Sequence, residues 1–190
     1  MYKGKRVVLL IPAYNEEGKI GEVLKKVPRN VVDEVVVVND GSTDNTEKEI
    51  RENGGTVISF TENKGLGVAF KALFSYAKDK KYDVAVIVGG DDQDDPQEIH
   101  KFLYCLIDEG FHMVQGSRYL GKTEDMPFIR LVTTKAYSLF FSLVAGRLVT
   151  DASTGYKGFH IFLLDTIDLS EKWLEEKYGI EQFFLMQTIK

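Results

Sequence analysis

Four of the five residues 91–95 are aspartates, and the fifth is a glutamine. Like charges this close together repel one another unless a cation neutralises them. Because the segment offers oxygen ligands and neither histidine nor cysteine, it favours Mg²⁺ or Mn²⁺ over zinc. One or two carboxylates typically hold such an ion, and substrate phosphates complete its shell. The segment therefore indicates either a metal site for a phosphorylated substrate or a solvated acidic turn, in which Asp94 or Asp95 caps a helix beginning at Pro96.

Three other polar segments also follow apolar runs. They are residues 12–17 (PAYNEE), 39–44 (NDGSTD) and 63–67 (NKGLG). Each alone is ordinary turn chemistry, because Gly, Asn and Asp are the usual turn residues. Four such segments indicate a ligand site, since ligands of parallel sheets bind outside the carboxyl ends of the strands. In the third segment, we expect Gly65 and Gly67 to bring backbone amides close to a phosphate, with Lys64 adding positive charge.

Apolar periodicity supplies the elements that position these segments. Continuous β-branched runs predict buried strands, and apolar residues spaced by three and four predict amphipathic helices. The strands are predicted at 7–11, 35–38, 57–60, 84–88 and 113–116, and the helices at 20–27, 44–54, 66–80 and from 96. This alternation predicts an α/β fold with a mostly parallel central sheet and helices on both faces.

Composition and absent motifs exclude several classes of protein. With 190 residues, 44% of them hydrophobic, the chain is long enough for one domain. A net charge of −5 argues against nucleic acid as a partner. No G-x-x-x-x-G-K-[ST] occurs, and no G-x-G-x-x-G follows the first strand, which argues against P-loop and nicotinamide enzymes. Without a signal peptide or a membrane-length apolar run, we expect a cytoplasmic protein.

The segment 127–149 is helical by pattern and unusually apolar. It is either a pair of core helices or a surface that meets a membrane or a partner subunit, so peripheral membrane contact and homo-oligomerisation both stay open. Its apolar cluster consists of Leu139, Phe140, Phe141, Leu143 and Val144. The chain ends within the apolar pattern of 180–189, which favours truncation at Lys190.

Together these segments closely resemble the family 2 glycosyltransferases with the GT-A fold. The resemblance rests on residues 11–17, 37–46, 63–67 and 91–96, and it spans residues 6 to about 160. Residues 116–119 (GSRY) and 151–159 (DASTGYKGF) resemble the subgroup of dolichol- and polyprenyl-phosphate sugar synthases. The resemblance implies a single GT-A domain over 1–190. Its nucleotide-sugar part would cover about 1–120 and its acceptor part about 121–190.

The activity implied by the resemblance is an inverting sugar transfer. The donor would be a GDP- or UDP-sugar, the acceptor a polyprenyl or dolichyl phosphate, and the cofactor Mg²⁺ or Mn²⁺. We therefore expect a cytoplasmic enzyme at the membrane surface. The residues implied in nucleotide-sugar binding are Pro12, Tyr14, Glu16, Asp40, Lys64, Gly90, Asp91 and Arg118. Asp91, Gln93 and Asp92 are the implied metal ligands, and Asp91, Arg118 and Asp151 the implied catalytic residues.

The metal loop departs from the family pattern at one position. The family usually has Asp-x-Asp, whereas Gly89 stands here at the first aspartate. Asp91 matches the second aspartate, and Gln93 matches a glutamine that often assists. Three alternatives follow: Asp91 and Gln93 suffice with water, Asp92 turns inward, or metal dependence has weakened.

The acceptor determines whether a general base is needed. A lipid phosphate is already anionic near neutral pH, whereas a sugar hydroxyl normally needs a base. The Q-x-x-R-W signature of polysaccharide synthases is absent, and Trp173 is the one tryptophan. Asp151 could serve as a base or have a structural role, while Arg130 and Lys157 are further candidates for phosphate binding. Three interpretations stay open: transfer to polyprenyl phosphate, transfer to a hydroxyl acceptor, and a nucleotide-sugar-binding protein weakened by Gly89.

Overall fold

A six-stranded sheet in the order β3-β2-β1-β4-β6-β5 organises the chain. The computed structural model describes residues 1–120, 127–169 and 179–189. The strands are β1 (Val7–Ala13), β2 (Glu34–Asn39), β3 (Thr56–Ser59), β4 (Val84–Ile87), β5 (Met113–Gln115) and β6 (Lys157–His160). Strands β1 to β4 are parallel, and β6 is antiparallel to both β4 and β5. The predicted α/β fold with a mostly parallel sheet is confirmed.

Helices cover both faces of this sheet. They are α1 (Ile20–Lys26), α2 (Thr46–Glu52), α3 (Leu66–Asp79), α4 (Ile99–Leu103), α5 (Phe128–Ala145), α6 (Leu163–Thr166) and α7 (Gly179–Ile189). A 3₁₀ turn from Pro96 to Glu98 precedes α4, so the helix predicted from 96 begins with a tighter turn. Trp173 lies outside the described residues.

The two faces of β1 explain why its sequence is continuously apolar. Val7, Leu9 and Ile11 pack with α1, α2 and α4 in one core. Val8 and Leu10 pack with α3, α6 and α7 in the other. A strand buried on both faces has no solvent side that requires polar residues.

Strand β6 was not predicted. Its segment was interpreted only as a short apolar and glycine-containing stretch, because Lys157, Gly158 and His160 interrupt the apolar pattern. Gly158 allows close packing there, since a Cβ atom at this position would lie 3.0 Å from Leu106 and 3.2 Å from Phe102. The strand places Lys157 beside the carboxyl end of β4, where the two strands pair through Ile87.

Helix α5 has a largely apolar outer face, and two of its three buried residues are serines. The prediction of a helix is confirmed, but the alternative of a core helix pair is wrong, because one helix forms and its outer face is exposed. The exposed residues are Phe128, Ile129, Val132, Leu139, Phe140, Leu143 and Val144. Phe141, which the sequence grouped with them, is buried against Ala152 and Leu185. By length and composition alone, α5 is long and apolar enough to cross a membrane, which differs from the expectation that the sequence holds no apolar run of that length.

Two serine hydroxyls attach the inner face of α5 to the segment before β6. Ser138 Oγ accepts a hydrogen bond from the Ala152 amide at 3.0 Å. Ser142 Oγ accepts one from the Val149 amide at 2.9 Å. Both serines are buried. These bonds fix the position of the loop that contains Asp151.

Candidate active site

A cavity of about 1320 Å³ lies at the carboxyl ends of β1, β2 and β4. Eight of the eleven site residues implied by the family resemblance line it: Pro12, Tyr14, Glu16, Asp40, Gly90, Asp91, Gln93 and Arg118. The other three, Lys64, Asp92 and Asp151, point elsewhere or lie behind the cavity wall. The sheet order therefore brings together residues that are far apart in sequence.

The loops after β1 and β2 are joined by side-chain hydrogen bonds. The Asn15 amide donates to Ser42 Oγ at 2.9 Å, and the Thr43 amide donates to Asn15 Oδ1 at 2.9 Å. The Glu16 amide donates to Thr46 Oγ1 at 2.8 Å. These bonds fix the backbone around Tyr14, whose ring stays 46% exposed at the cavity. An exposed aromatic ring on a fixed backbone can stack against a planar base.

Asp40 holds the loop after β3. Its Oδ1 accepts from the Lys64 amide at 2.7 Å, and its Oδ2 accepts from the Gly65 amide at 2.9 Å. Both amides are therefore already bonded, which contradicts the expectation that Gly65 offers its amide to a phosphate. The Lys64 ammonium lies 5.0 Å from the centre of the Phe60 ring. The structure thus gives Asp40 a structural role beside the predicted contact with a nucleoside.

Gly41 makes the close approach of these two loops feasible. Its φ is +70°, and a Cβ atom there would lie 2.3 Å from the backbone carbon of Glu62. A backbone contact that short excludes any other residue unless a loop shifts. The glycine in the β2 loop is therefore required by the close packing of the loops after β2 and β3 at this end of the cavity.

The four aspartates of the loop after β4 have different surroundings. Asp91 and Asp94 line the cavity. Asp92 forms an ion pair with Lys26 at 2.7 Å, away from the cavity. Asp95 caps the following turn by accepting from the Gln97 amide at 3.0 Å. The sequence had treated Asp94 as a possible cap, and only the fold shows that it faces the cavity.

Asp94 lies in an environment that disfavours its negative charge. Burial raises the pKa of its carboxyl group, and the charge of Asp91 raises it further. A Cβ atom on Gly89 would lie 2.9 Å from Asp91 Oδ1 and 3.9 Å from Asp94 Oδ2. The two carboxylates thus flank the space that a side chain at residue 89 would occupy. A cation between them would relieve the repulsion.

The described part of the chain contains no group of three or more His, Cys, Asp or Glu residues that could hold a metal ion by itself. Asp91, Asp94 and Gln93 instead provide a small set of oxygen ligands at the cavity wall. Such a set suits Mg²⁺ or Mn²⁺ when substrate phosphates supply the remaining ligands. The residues fit a metal that binds together with a diphosphate.

Arg118 and Asp151 form a bidentate ion pair. Arg118 Nε donates to Asp151 Oδ2 at 2.8 Å, and Arg118 Nη2 donates to Oδ1 at 2.9 Å. Burial opposes ionisation of Asp151, but hydrogen bonds from Arg118 and Ser153 outweigh it and lower the pKa of this carboxyl group. Asp151 is 1% exposed. Since both carboxylate oxygens are engaged behind the wall, the structure favours a positioning role over that of a general base.

The opposite wall of the cavity consists of Arg130, Ser153, Thr154, Glu181 and Gln182. Of these, the sequence had given a role to Arg130 alone, as a candidate for phosphate binding. Glu181 and Gln182 lie in the first turn of α7, more than 60 residues after Arg118 in sequence. No local motif marks them, so only the tertiary structure could identify them.

Lys157, also a candidate for phosphate binding, is buried beside this wall. It is 2% exposed, and its ammonium donates to the Thr154 carbonyl. Glu181 Oε1 lies 3.5 Å from its Nζ. Burial lowers the pKa of Lys157, although Glu181 acts in the opposite direction. Lys157 is therefore a partner of Glu181 and is not placed to contact a phosphate directly.

Comparison with known proteins assigns the chain to a family. The family model described as "Glycosyl transferase family 2" matches residues 8–167, and the chain belongs to this family. In fold it is similar to glucosyl-3-phosphoglycerate synthase from Mycobacterium tuberculosis, crystallised with Mn²⁺ and UDP, with a TM-score of 0.73 at 22% identity. The match covers 96% of this chain and 64% of that protein. The expected GT-A fold is confirmed.

Curated relatives are identical to the chain at about a third of the aligned residues. The UDP-N-acetylglucosamine–dolichyl-phosphate N-acetylglucosaminyltransferase of Methanococcus voltae is 31% identical over 92% of this chain and 76% of its own length. The dolichyl-phosphate hexose transferase of Haloferax volcanii is 34% identical over 87% and 71%. An uncharacterised protein of Methanocaldococcus jannaschii is 31% identical over 80% of this chain, which spans 64% of that relative's length.

Proposed function

We propose that the chain is the catalytic domain of an inverting glycosyltransferase that moves a sugar from a GDP- or UDP-sugar to a polyprenyl phosphate. One observation carries the proposal, namely the order of chemical groups along the sheet edge. An aromatic ring and a buried carboxylate follow β1 and β2, two cavity-facing aspartates follow β4, and an arginine follows β5. This order matches base, diphosphate and transferred group. Relatives named as dolichyl-phosphate sugar transferases support the acceptor class.

In this proposal the chain is a single domain. Residues from 1 to about 120 form its donor-binding part, and residues from about 121 to 190 form its acceptor-binding part. Tyr14 stacks on the base, with Pro12 and Glu16 beside it, and Asp40 fixes the loop under the ribose. Asp91, Gln93 and Asp94 would hold Mg²⁺ or Mn²⁺. When bound, the ion supplies Lewis-acid stabilisation of the diphosphate leaving group.

Two arginines on the β5 and α5 side are suited to an anionic acceptor. Arg118 and Arg130 both line the cavity, and arginine binds phosphate through several N–H groups. Asp151 orients Arg118 and does not face the cavity, so no base from this residue is available for a hydroxyl. A phosphate acceptor needs none, because it already carries negative charge. These features favour polyprenyl phosphate over a hydroxyl acceptor.

The transfer itself can be tested with radiolabelled donors. We expect the purified protein, given a labelled UDP- or GDP-sugar, Mn²⁺ and a polyprenyl phosphate, to move label into an organic-extractable fraction. EDTA should abolish this transfer. Label that enters only water-soluble glycosides would favour a hydroxyl acceptor instead. Neither transfer nor donor hydrolysis in the presence of Mn²⁺ would favour a nucleotide-sugar-binding protein.

We further propose that the outer face of α5 contacts the cytoplasmic membrane surface. The helix presents its apolar side to solvent, and residues 127–150 contain Arg130, Lys135 and Arg147 but no acidic residue. This local positive charge contrasts with a net charge of −5 for the whole chain. Apolar area and basic side chains together favour binding to anionic lipid, with each cation contributing about 1 kcal/mol near the surface.

Vesicle sedimentation tests this contact. We expect the protein to sediment with phosphatidylglycerol vesicles, and Phe140→Ser together with Leu143→Ser to reduce the bound fraction severalfold, because both side chains are more than 60% exposed. Leu148→Ser, a change at an exposed residue outside α5, serves as a control. Equal sedimentation of wild type and the double variant would contradict membrane contact through this face.

A further inference from the structure

The first turn of α7 brings two hydrogen-bond acceptors to the cavity wall. Glu181 and Gln182 both line the cavity. The side-chain oxygen of Gln182 is buried without a hydrogen-bond partner among the described residues. A buried acceptor without a partner is unfavourable, because it has lost its hydrogen bonds to water and has formed none within the protein. A ligand that donates a hydrogen bond at this wall would satisfy it.

The buried Lys157 fixes the carboxylate of Glu181. Its ammonium donates to the Thr154 carbonyl and lies 3.5 Å from Glu181 Oε1. The charges of Asp94 and Asp151 also act on it. A buried lysine needs such compensation, since an isolated charge in the interior is strongly disfavoured. The ion pair between Lys157 in β6 and Glu181 in α7 therefore restricts the orientation of the Glu181 side chain.

Gly155 keeps the space in front of this carboxylate open. It lines the same cavity, and a Cβ atom on it would lie 3.2 Å from Glu181 Oε1. Even a methyl group would press on the carboxylate oxygen. The glycine therefore leaves the approach to Glu181 free on the cavity side.

The charge of Glu181 determines which ligand group suits this wall. A carboxylate repels phosphate, but it accepts strong hydrogen bonds from hydroxyl groups. The wall lies on the β6 side of Asp91 and Asp94, opposite the nucleoside end. When a nucleotide sugar binds along this edge of the sheet, its sugar lies beyond the diphosphate, next to this wall. This orientation of the donor rests on the proposed function.

We propose that Glu181, together with Gln182, binds hydroxyl groups of the transferred sugar, and that Lys157 is the positioning residue for Glu181. Glu181 thereby discriminates between sugars by the arrangement of their hydroxyls, since a hydrogen bond to a charged group is more selective than a neutral one. The free nucleotide diphosphate does not reach this wall.

Calorimetric titration separates the sugar contact from nucleotide binding. Wild type and Glu181→Gln are titrated without acceptor, in Mn²⁺, with UDP, UDP-glucose, UDP-N-acetylglucosamine, GDP and GDP-mannose. We expect Glu181→Gln to leave the affinity for the free diphosphate within about twofold. For the sugar nucleotide that wild type binds, we expect Glu181→Gln to weaken binding. The ratio of sugar-nucleotide affinity to diphosphate affinity should fall by about 10–100-fold. Gly155→Ala should change this ratio in the same direction.

A matched control is Glu98→Gln, because Glu98 pairs with Lys101 at a site outside the cavity. This variant should bind all ligands as wild type does. An equal loss of UDP and UDP-sugar affinity in Glu181→Gln, with an unchanged ratio, would assign a structural role and overturn the inference. So would unchanged binding of every ligand in both Glu181→Gln and Gly155→Ala. If wild type binds no nucleotide at all, the proposed function fails, and the inference fails with it.

Discussion

Replacing Asp91 by asparagine is expected to remove most of the nucleotide affinity that a divalent metal provides. A nucleotide diphosphate approaches a wall that already carries Asp91 and Asp94, and two like unit charges 4 Å apart repel by about 4 kcal/mol at the effective dielectric of a protein surface. Without the ion, this repulsion opposes binding at the nucleoside end. Loss of a residue that supports a metal ligand typically costs about 10–100-fold, so loss of a ligand should reach at least about 100-fold.

The measurement is a calorimetric titration of UDP and GDP with and without Mn²⁺. Asp94→Asn should resemble Asp91→Asn, because the two carboxylates flank the same space beside Gly89. Asp95→Asn is the control, since Asp95 caps a turn through the Gln97 amide. Nucleotide binding by wild type that is equally tight without metal would refute the metal site and leave Arg118 to neutralise the phosphates.

Asp151→Asn is expected to destabilise the fold and to misplace Arg118. Removing one partner of a buried ion pair costs about 3–5 kcal/mol, and the low end applies because the Arg118 side chain remains 29% exposed. Transfer activity should fall because asparagine keeps one acceptor oxygen for the guanidinium but removes the second hydrogen bond and the negative charge. The double variant Asp151→Asn with Arg118→Gln should be more stable than the single variant, since it leaves no unpaired charge. Chemical denaturation of the three proteins measures these differences.

The pH dependence of this contribution has a definite sign. The folded state lowers the pKa of Asp151, so the ion pair stabilises the protein above the pKa of the unfolded chain, which is about 3.9. That stability is lost as the pH falls through the lower, folded-state pKa. The stability difference between wild type and Asp151→Asn should therefore be constant near neutrality and shrink only below about pH 4. If Asp151→Asn is as stable as wild type but its turnover falls by about 10²–10⁴-fold, Asp151 is instead a general base.

The sequence predicted the parallel half of the fold largely because β1, β2 and β4 are buried on both faces and therefore read as continuous apolar runs. The polar segments after β1, β2 and β4 were assigned to one site for the same reason, since parallel strands end at one edge. Strand β6 was missed because Lys157, Gly158 and His160 leave it without an apolar run. Its pairing with β4 depends on contacts between residues 70 to 76 positions apart.

Site residues were predictable where a local pattern marks them. Pro12, Tyr14 and Asp91 belong to such patterns and line the cavity. The partners of charged groups were not predictable, because they depend on tertiary contacts. The sequence could not show that Asp92 pairs with Lys26, or that Asp151 pairs with Arg118 across 33 residues. Glu181 has no flanking motif, and only the packing of α7 brings it to the cavity.

Hydrogen bonds to two serines of α5 connect this helix to the loop that contains Asp151. Ser138 and Ser142 bond the amides of Ala152 and Val149, on either side of Asp151. Asp151 in turn holds the guanidinium of Arg118. Hydroxyl–amide bonds and one ion pair therefore form a continuous chain of contacts from α5 to the cavity wall. The surface proposed to rest on lipid and the arginine at the cavity belong to one connected set of residues.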